Sequence, residues 1–304
     1  MKSYSNSKGA TRAWFRESFL LFLQLKRGEF NRNAHLKCLE YASILQEFST
    51  RKLSDANVLE IGFGAKPFQL ACLIQHTNSA RGIDADIPIL PGSGNIHKIK
   101  ILTSNGFKRF LRSSVRYLFY DKRIYKANDI LGILSSDKFH KILHQYIFGS
   151  GKKWPINLAE IDFIYSEDVF EHIPPELINA GLNDLANNIS SECLVFIRPN
   201  IFTGITGGHD PEFYNPSTLI FGETKWRPWE HLYPETKFET STYLNKLKFN
   251  DYVNLFSSRF KIIKVYFSTE KLGEQFDTSE IIHFTNISRD DLFYNQVGFL
   301  LKKL

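Results

Sequence analysis

The sequence predicts an α/β protein in which helices cover both faces of a mostly parallel sheet. Three observations support this fold class: a short apolar run that enters a glycine turn, a helix and a second strand directly after that turn, and further apolar strands downstream. The chain has 304 residues and is 43% hydrophobic. It is long enough to bury a sizeable core, and one domain with insertions is the simplest account.

The N-terminal region is predicted to be helical. Apolar residues recur at helical spacing over 11–50, interrupted by the polar stretch KRGEFNRN, which predicts two or three helices. We therefore interpret residues 1–52 as a helical extension of a domain that spans 53–304. The apolar stretch SFLLFLQL at 18–25 is too short to span a bilayer and no small-residue cleavage site follows it, so it is interpreted as a buried helix face.

A strand, a glycine turn, a helix and a second strand come next. The strands are NVLEI (57–61) and ARGID (80–84), and the helix between them is FQLACLIQH (68–76). This order is the βαβ unit of an open parallel sheet. Later strands are predicted at 146–148, 161–166, 193–198, 260–267 and 297–303, with a helix over 174–189.

The cysteines favour a reducing compartment. Cys38, Cys72 and Cys193 lie far apart in the sequence, with no CxxC or other metal-type spacing. No disulfide framework is expected, and we predict a cytoplasmic protein.

The glycine turn differs from a dinucleotide-binding fingerprint. That fingerprint is GxGxxG, and here Gly62 and Gly64 fit while Pro67 occupies the third position. Glu60 stands two residues before the first glycine, where a carboxylate would repel a pyrophosphate. An NAD enzyme is therefore an alternative that Pro67 argues against.

A carboxylate before the turn suits a ligand with a cationic end, such as S-adenosylmethionine. The chain resembles the class I S-adenosylmethionine-dependent methyltransferases in EIGFG, in Asp84 of GIDAD at the end of the second strand, in SEDVFEHIP (166–174), and in the C-terminal strand VGFLLKKL. The likeness covers 53–200 well and 260–304 loosely. One departure is Lys66, where the family often has a third glycine.

The resemblance implies a Rossmann-like class I methyltransferase fold with a seven-stranded sheet, and S-adenosylmethionine as the cofactor. Glu60 would lie under the methionine end and Asp84 would bind the ribose. Ser150 would lie near the adenine. The cofactor-binding residues that the resemblance implies are Glu60, Gly62, Phe63, Gly64, Asp84, Ala85, Ser150, Ser166 and Glu167.

The sequence narrows the class of methyl acceptor. An alcohol needs a base, or a metal that lowers its pKa, whereas a carboxylate needs neither. DNA-base methylation is disfavoured because SEDVF lacks the N/D/S-P-P-aromatic motif after the fourth strand. Carbon-5 pyrimidine methylation is disfavoured because Cys193 follows Glu192 and opens an apolar strand.

The long loop region at about 199–259 is interpreted as the substrate side, since such loops are more often functional than idle. Its aromatic, acidic and histidine side chains suit a hydroxyl-rich acceptor such as a sugar, although an aromatic flap that packs on the core fits too. The substrate-binding candidates here are Asp210, Tyr214, Trp226, Arg227 and Trp229.

Three histidines are candidates for the catalytic base: His172, His209 and His231, each of which has a purely structural alternative. The pairs His209–Asp210 and Glu230–His231 contain metal-binding residue types. Their spacing is not diagnostic, so no metal is predicted.

The insertion at about 88–145 is basic. Between 98 and 126 it has nine Lys and Arg residues against one acid, Asp121. Arg109, Arg112 and Arg116 lie on one helical face opposite an apolar face, which fits either an anionic acceptor or a solvated face of a packed helix.

We therefore predict an O-methyltransferase for a sugar, glycan or other small polar acceptor. This acceptor class includes anionic molecules and the intermediates of surface-polysaccharide assembly. RNA methylation and a non-catalytic cofactor-binding protein are the alternatives. No transmembrane segment is predicted, and peripheral contact with an anionic membrane stays open.

Overall fold

The computed structural model describes most of the chain. The described residues are 29–92, 94, 99, 101–103, 106–127, 130–210, 213, 226–236, 238, 240, 242–268 and 272–304.

One seven-stranded sheet runs through the described part of the chain, in the order β3-β2-β1-β4-β5-β7-β6. Its strands are β1 (Asn57–Ile61), β2 (Ser79–Asp84), β3 (Leu143–Gln145), β4 (Phe163–Glu167), β5 (Leu194–Arg198), β6 (Phe260–Phe267) and β7 (Val297–Lys303). The first five strands are parallel, and β7 is antiparallel to both β5 and β6. The predicted fold class, a mostly parallel Rossmann-like sheet, is confirmed.

Helices lie on both faces of this sheet. They are α1 (Glu29–Phe48), α2 (Phe68–Leu73), α3 (Phe107–Arg116), α4 (Lys122–Ala127), α5 (Leu131–Leu134), α6 (Asp137–Lys141), α7 (Pro175–Asn188), α8 (Phe249–Ser257), α9 (Ser279–Thr285) and α10 (Arg289–Leu292). A π-helical segment, Tyr117–Asp121, joins α3 to α4.

Alternation along the strands divides the core into two layers. In β1, Val58 packs in one apolar cluster with α1 and α2, whereas Leu59 packs in the other with α7 and α8. Helix α1 contributes Tyr41, which is fully buried and lies 4.8 Å from the ring of Tyr165 in β4. Both faces of a parallel sheet need such cover, and α1 is part of it.

A third apolar cluster lies outside the sheet layers. It joins the loop after β5, through Ile205 and Trp229, to the segment between β6 and β7, through Ile281 and Leu292. The loop region predicted on the substrate side is thus anchored by its own small core.

The third strand was predicted in the wrong place. It runs over Leu143–Gln145, not over 146–148. Tyr146 and Phe148 look strand-like because they are aromatic and buried, but they pack beside Trp154, whose ring stacks 4.5 Å from that of Tyr146. Their burial comes from the loop after the strand.

The N-terminal helix also begins earlier than expected, since α1 starts inside the predicted interruption KRGEFNRN. The remainder of the predicted helical segment, up to residue 28, lies outside the described residues. No helix among the described residues is long and apolar enough to cross a membrane.

The apolar face predicted for the basic insertion is only partly buried. Phe110 packs against the core, but Phe107 and Leu111 are 69% and 52% exposed. Within the π-helical segment the apolar face does not continue in line with α3, and Leu118 and Phe119 are exposed there too.

We expect Gly62→Ala to destabilise the fold by about 2–4 kcal/mol. Gly62 has a φ of +84°, and a Cβ there would lie 2.3 Å from a methyl carbon of Val169, so backbone strain and overpacking add. Urea unfolding measures the loss. Gly64→Ala is the matched control, because its φ is +63° but nothing lies within 4 Å of its Cβ position, and strain alone costs about 1–2 kcal/mol. Equal losses in the two variants would contradict the packing argument.

Candidate active site

The strand register aligns several polar residues at the carboxyl edge of the sheet. Ile61 pairs with Ile83, and Glu60 pairs with Tyr165. The residues that follow are therefore level with one another: Gly62 after β1, Asp84 at the end of β2 and Glu167 at the end of β4. Ligands of open parallel sheets bind at this edge.

The glycine turn lies between β1 and α2. The backbone N–H of Gly62 donates to the carbonyl of Ile83 at 2.7 Å, so the turn starts as a continuation of the β1–β2 ladder. Phe63 is buried against Gly82, where a Cβ would meet its ring at 2.6 Å. Ala85 is exposed just beyond β2.

Asp84 contacts the turn directly. One carboxylate oxygen accepts the N–H of Gly64 at 2.8 Å, and the other accepts the N–H of Asp86 at 2.9 Å. Partial burial raises the pKa of Asp84 to about 6. The structure thus brings together the predicted glycine turn and the predicted acid of the second strand.

Glu60 is a buried acid behind the turn. Its side chain is 7% exposed, and Oε2 has no hydrogen-bond partner among the described residues. Burial raises the pKa of Glu60 to about 8. A buried, unsatisfied carboxylate next to an open turn is costly by itself and favours a cationic ligand group nearby.

Glu167 is held by protein cations and a phenol. Lys37 of α1 and Arg198 of β5 both pair with its carboxylate, and the hydroxyl of Tyr41 donates to it at 2.5 Å. Arg198 also pairs with Glu40 of α1. Glu167 therefore fastens α1 to the sheet at the edge where the cofactor is expected.

The two predicted serines differ in their surroundings. The hydroxyl of Ser166 is buried and donates to the carbonyl of Ile61 at 2.8 Å, which ties β4 to β1. Ser150 is half-buried in a turn after β3, where its N–H donates to the carbonyl of Ile147 at 3.1 Å.

Two of the three candidate base histidines meet. The rings of His172 and His209 lie 4.8 Å apart, and His209 Nε2 lies 3.6 Å from Glu171 Oε1. We call Glu171, His172 and His209 the His–Glu cluster. Burial favours the neutral form of Glu171, but the two histidines outweigh it and lower the pKa of this carboxyl.

Asn200, just after β5, organises the acids of this cluster. Its side-chain amide donates to Glu171 Oε1 at 2.8 Å and to Asp168 Oδ1 at 2.7 Å. Desolvation of the carboxyl by the surrounding groups, followed by the neighbouring Glu171, raises the pKa of Asp168. Asp168 and His209 both have positive φ values, 55° and 58°, which are uncommon for residues with a side chain and are concentrated at functional sites.

His231 does not join the cluster. Its Nε2 lies 2.9 Å from the carbonyl of Phe202 and therefore donates to it. Burial lowers the pKa of His231 to about 4, so the ring is neutral at ordinary pH. Its ring packs on Gly208, where a Cβ would lie 2.5 Å away, and this contact positions the chain next to His209.

The loop candidates are mostly engaged in structural contacts. Trp229 is 1% exposed and its indole donates to the carbonyl of Leu292 at 3.2 Å. Arg227 pairs with Glu230, Glu235 and Glu280 and stacks over Tyr233. Trp226 is half-buried and Asp210 is buried. Tyr214 lies outside the described residues.

The basic insertion touches the glycine turn. The hydroxyl of Tyr125 in α4 lies 3.4 Å from the carbonyl of Ala65. Arg116 pairs at 2.9 Å with Asp121, which is 1% exposed, so this guanidinium neutralises a buried acid. The side chains of Arg109 and Arg112 lie outside the described residues.

Sequence reasoning missed Asp168, Glu171 and Asn200 as site residues. The first two were within the quoted stretch SEDVFEHIP, where an acid, a second acid three residues later and a histidine directly after it share one turn. That spacing was a usable signal. Asn200 carried none, because only the pairing of β5 with β4 brings it there.

Comparisons with known proteins were made by sequence and by structure. No family model matches the chain, and no curated protein matches it by sequence. Among solved structures, it is similar to magnesium protoporphyrin IX methyltransferase from Synechocystis PCC 6803, with 12% identity over 91% of this chain and 86% of that one and a TM-score of 0.43.

Two further solved structures are similar at the same level. An S-adenosylmethionine-dependent methyltransferase from Clostridium acetobutylicum has 10% identity over 91% of both chains and a TM-score of 0.42. Geranyl diphosphate C-methyltransferase from Streptomyces coelicolor has 9% identity over 87% of this chain and 80% of that one, with a TM-score of 0.43. Likenesses this distant assign no function.

We expect that the free energy of unfolding of the Glu60→Gln variant, relative to that of the unchanged protein, increases as pH rises. The folded protein holds the Glu60 proton with a pKa of about 8 against an ordinary value of 4.5. Between these values the folded state binds more protons than the unfolded state, so this group lowers stability as pH rises, by at most about 1.4 kcal/mol per pH unit. Urea unfolding at about pH 5.5 and about pH 8 measures the difference.

The matched control for this prediction is Glu192→Gln, whose carboxylate is exposed beside Lys302. It should change stability little at either pH. An identical effect of Glu60→Gln at both pH values would contradict a raised pKa at Glu60.

We expect Trp229→Ala to lower the free energy of unfolding by about 3–5 kcal/mol, because it empties the centre of the third apolar cluster. Trp226→Ala, at a half-buried ring that lies beside Phe238, should cost about 1 kcal/mol. Thermal and urea unfolding compare the two. Similar small losses of stability in the two variants would mean that Trp229 lies at an open surface and not in a core.

Proposed function

We propose that this protein is an S-adenosylmethionine-dependent methyltransferase that methylates a hydroxyl of a sugar, glycan or other small polar acceptor. The observation that carries the cofactor assignment is the junction of the glycine turn with Asp84. The N–H of Gly64 donates to the Asp84 carboxylate at the carboxyl edge of adjacent parallel strands.

The residues around this junction fit S-adenosylmethionine chemically. The unsatisfied Glu60 Oε2 lies behind the turn, where a cationic amino-acid end of the cofactor would favour the ionised form of this carboxyl. There is no space for a side chain at position 62, so the backbone of Gly62 itself lies at the edge where a ligand approaches. The carboxylate of Asp84 can accept from two adjacent ribose hydroxyls, and no cluster of cations is needed because this cofactor has no phosphate.

The cofactor supplies an electrophilic methyl group when it is bound, so the protein chiefly aligns the acceptor with it. An acceptor hydroxyl must also lose its proton. The His–Glu cluster provides groups for this task at the same edge of the sheet, since Val169, between Asp168 and Phe170, lies against Gly62. This placement supports an oxygen acceptor.

The sugar or glycan class rests on the loop after β5. Asp210 and His209 belong to this loop, and the third apolar cluster anchors it beside the cluster histidines. Hydroxyl-rich ligands are bound by such acids and histidines together with aromatic side chains. Tyr214 and Trp226 stay candidates for the aromatic part.

We expect Asp84→Asn to weaken S-adenosylmethionine binding by about tenfold or more. A hydrogen bond to a charged group contributes about 1.5–3 kcal/mol, and about 1.4 kcal/mol corresponds to a factor of ten. Asparagine keeps one acceptor oxygen, which can serve the N–H of Gly64, and gives up the acceptor for the N–H of Asp86. Isothermal titration calorimetry with the full chain, using S-adenosylmethionine, its demethylated product and NAD, measures the effect.

Asp86→Asn is the matched control, because it removes the same charge two residues further along and should leave affinity within about twofold. Binding of NAD in place of S-adenosylmethionine would overturn the cofactor assignment. Cofactor binding without methyl transfer to any nucleotide sugar, polysaccharide or RNA tested would favour the non-catalytic alternative over the enzyme.

A further inference from the structure

We propose that the His–Glu cluster binds a divalent transition-metal ion with open coordination positions for the acceptor. The metal site itself stands on the geometry of Glu171, His172 and His209. Its role toward the acceptor rests on the proposed methyltransferase function, and the two are separable by experiment.

The three side chains offer ligand atoms in one small volume. One carboxylate oxygen and one nitrogen from each imidazole all lie within 4.8 Å of one another. Metal–nitrogen and metal–oxygen bonds of about 2.0–2.2 Å place neighbouring ligands about 3 Å apart. Glu171 Oε1 and His209 Nε2, at 3.6 Å, are already near that separation, so small side-chain rotations complete the site.

His172 is oriented as metal-binding histidines are. Its Nδ1 lies 2.9 Å from the backbone carbonyl of Tyr243 and must donate to it. This fixes the neutral tautomer in which Nε2 carries the lone pair. A backbone carbonyl on the far nitrogen is the usual outer contact of a metal-ligating histidine.

Glu171 is prepared as a ligand as well. The residue is 4% exposed, its Oε1 is held by the amide of Asn200, and its Oε2 has no hydrogen-bond partner among the described residues. A buried carboxylate oxygen without a donor costs about 1–3 kcal/mol or more. A metal ion coordinated by this carboxylate would satisfy it.

The ligand set indicates the class of metal. Two imidazoles with one carboxylate are typical of catalytic sites for zinc and similar first-row ions, in which the remaining positions are open to water or substrate. An all-oxygen set, which Mg²⁺ and Ca²⁺ prefer, is not what these residues provide. We therefore expect Zn²⁺, Mn²⁺ or Co²⁺ to bind more tightly than Mg²⁺.

The site lies where it can act on an acceptor hydroxyl. The chain from Asp168 to His172 leaves β4 and passes Gly62 of the glycine turn through Val169. A divalent ion lowers the pKa of a hydroxyl that coordinates it. The hydroxyl proton is released to solvent, the oxygen forms a bond to the methyl carbon, and the carbon–sulfur bond breaks to leave a neutral thioether.

Open positions on one ion favour a chelating acceptor. Two hydroxyls on adjacent carbons of a sugar ring occupy two neighbouring positions of such an ion. We therefore infer that the acceptor class is a vicinal diol, of which one hydroxyl is methylated and the other holds the ring in place.

The metal site is tested first by binding, independently of methyl transfer. Full-length protein is treated with chelator and titrated with Mn²⁺, and the free ion is followed by electron paramagnetic resonance; Co²⁺ absorption reports on the ligand set. His35, Cys72 and His76 form a second possible cluster, so all titrations use a His35→Gln, His76→Gln background.

In that background we expect one ion per chain. Loss of an outer contact to a metal ligand weakens metal binding by roughly 10- to 100-fold. Glu171→Gln and His209→Asn each change a direct ligand, so each should weaken metal binding by at least that much. Asparagine tolerates the positive φ of His209, which limits misfolding. His283→Gln is the matched control, since that exposed histidine of α9 belongs to neither cluster, and it should leave affinity unchanged.

Absence of metal binding in the His35→Gln, His76→Gln background overturns the proposed site. Equal metal affinity with and without the Glu171→Gln change overturns it too. S-adenosylmethionine titrations of the same variants keep the two proposals apart. Cofactor affinity that stays within about twofold while metal affinity falls supports the site. If the protein with the unchanged His–Glu cluster does not bind S-adenosylmethionine, the methyltransferase proposal is refuted and the metal result still stands.

Discussion

Parallel pairing of β1 with β2 and β4 is the constraint on which the rest of the structure depends. Since the strands run in one direction, the residues that follow them collect at one edge, and the register sets their heights there. This pairing places Gly62, Asp84 and Glu167 in a row, although 105 residues separate the first from the last. Only this pairing brings the glycine turn and Asp84, the acid of β2, into contact.

Three buried acids at this edge are treated in three different ways. Glu167 is neutralised by Lys37 and Arg198, which makes it part of the framework. Glu171 faces two histidines and an amide, an arrangement that a cation can complete. Glu60 has an unsatisfied oxygen and holds its proton to about pH 8. Protein cations thus neutralise the acid where α1 docks, whereas Glu171 and Glu60 each have a carboxyl oxygen without a hydrogen-bond partner among the described residues where ligands are expected.

The order of elements could be predicted because short apolar strands, turns and helices have local signals. The resemblance to class I methyltransferases implied that Asp84 acts together with the glycine turn, and the structure brings the two into contact. Position 146 was misread because aromatic burial by a loop looks like a strand. Trp229 and Arg227 looked like ligand-facing residues since a sequence does not show that Leu292 and Glu280 complete their contacts. The meeting of His172 with His209 needed the loop path after β5.

Helix α1 has polar partners far along the chain. Tyr41 reaches Glu167 across 126 residues, and Glu40 reaches Arg198 across 158. At a synthesis rate of about 5–20 residues per second, the ribosome needs roughly 6–30 s to supply those partners after α1 has been made. During that interval the apolar face of α1 can pack on β1 and α2, which are made directly after it. Its polar contacts to β4 and β5 form only later, so the attachment of α1 to the carboxyl edge is completed well after its apolar contacts are available.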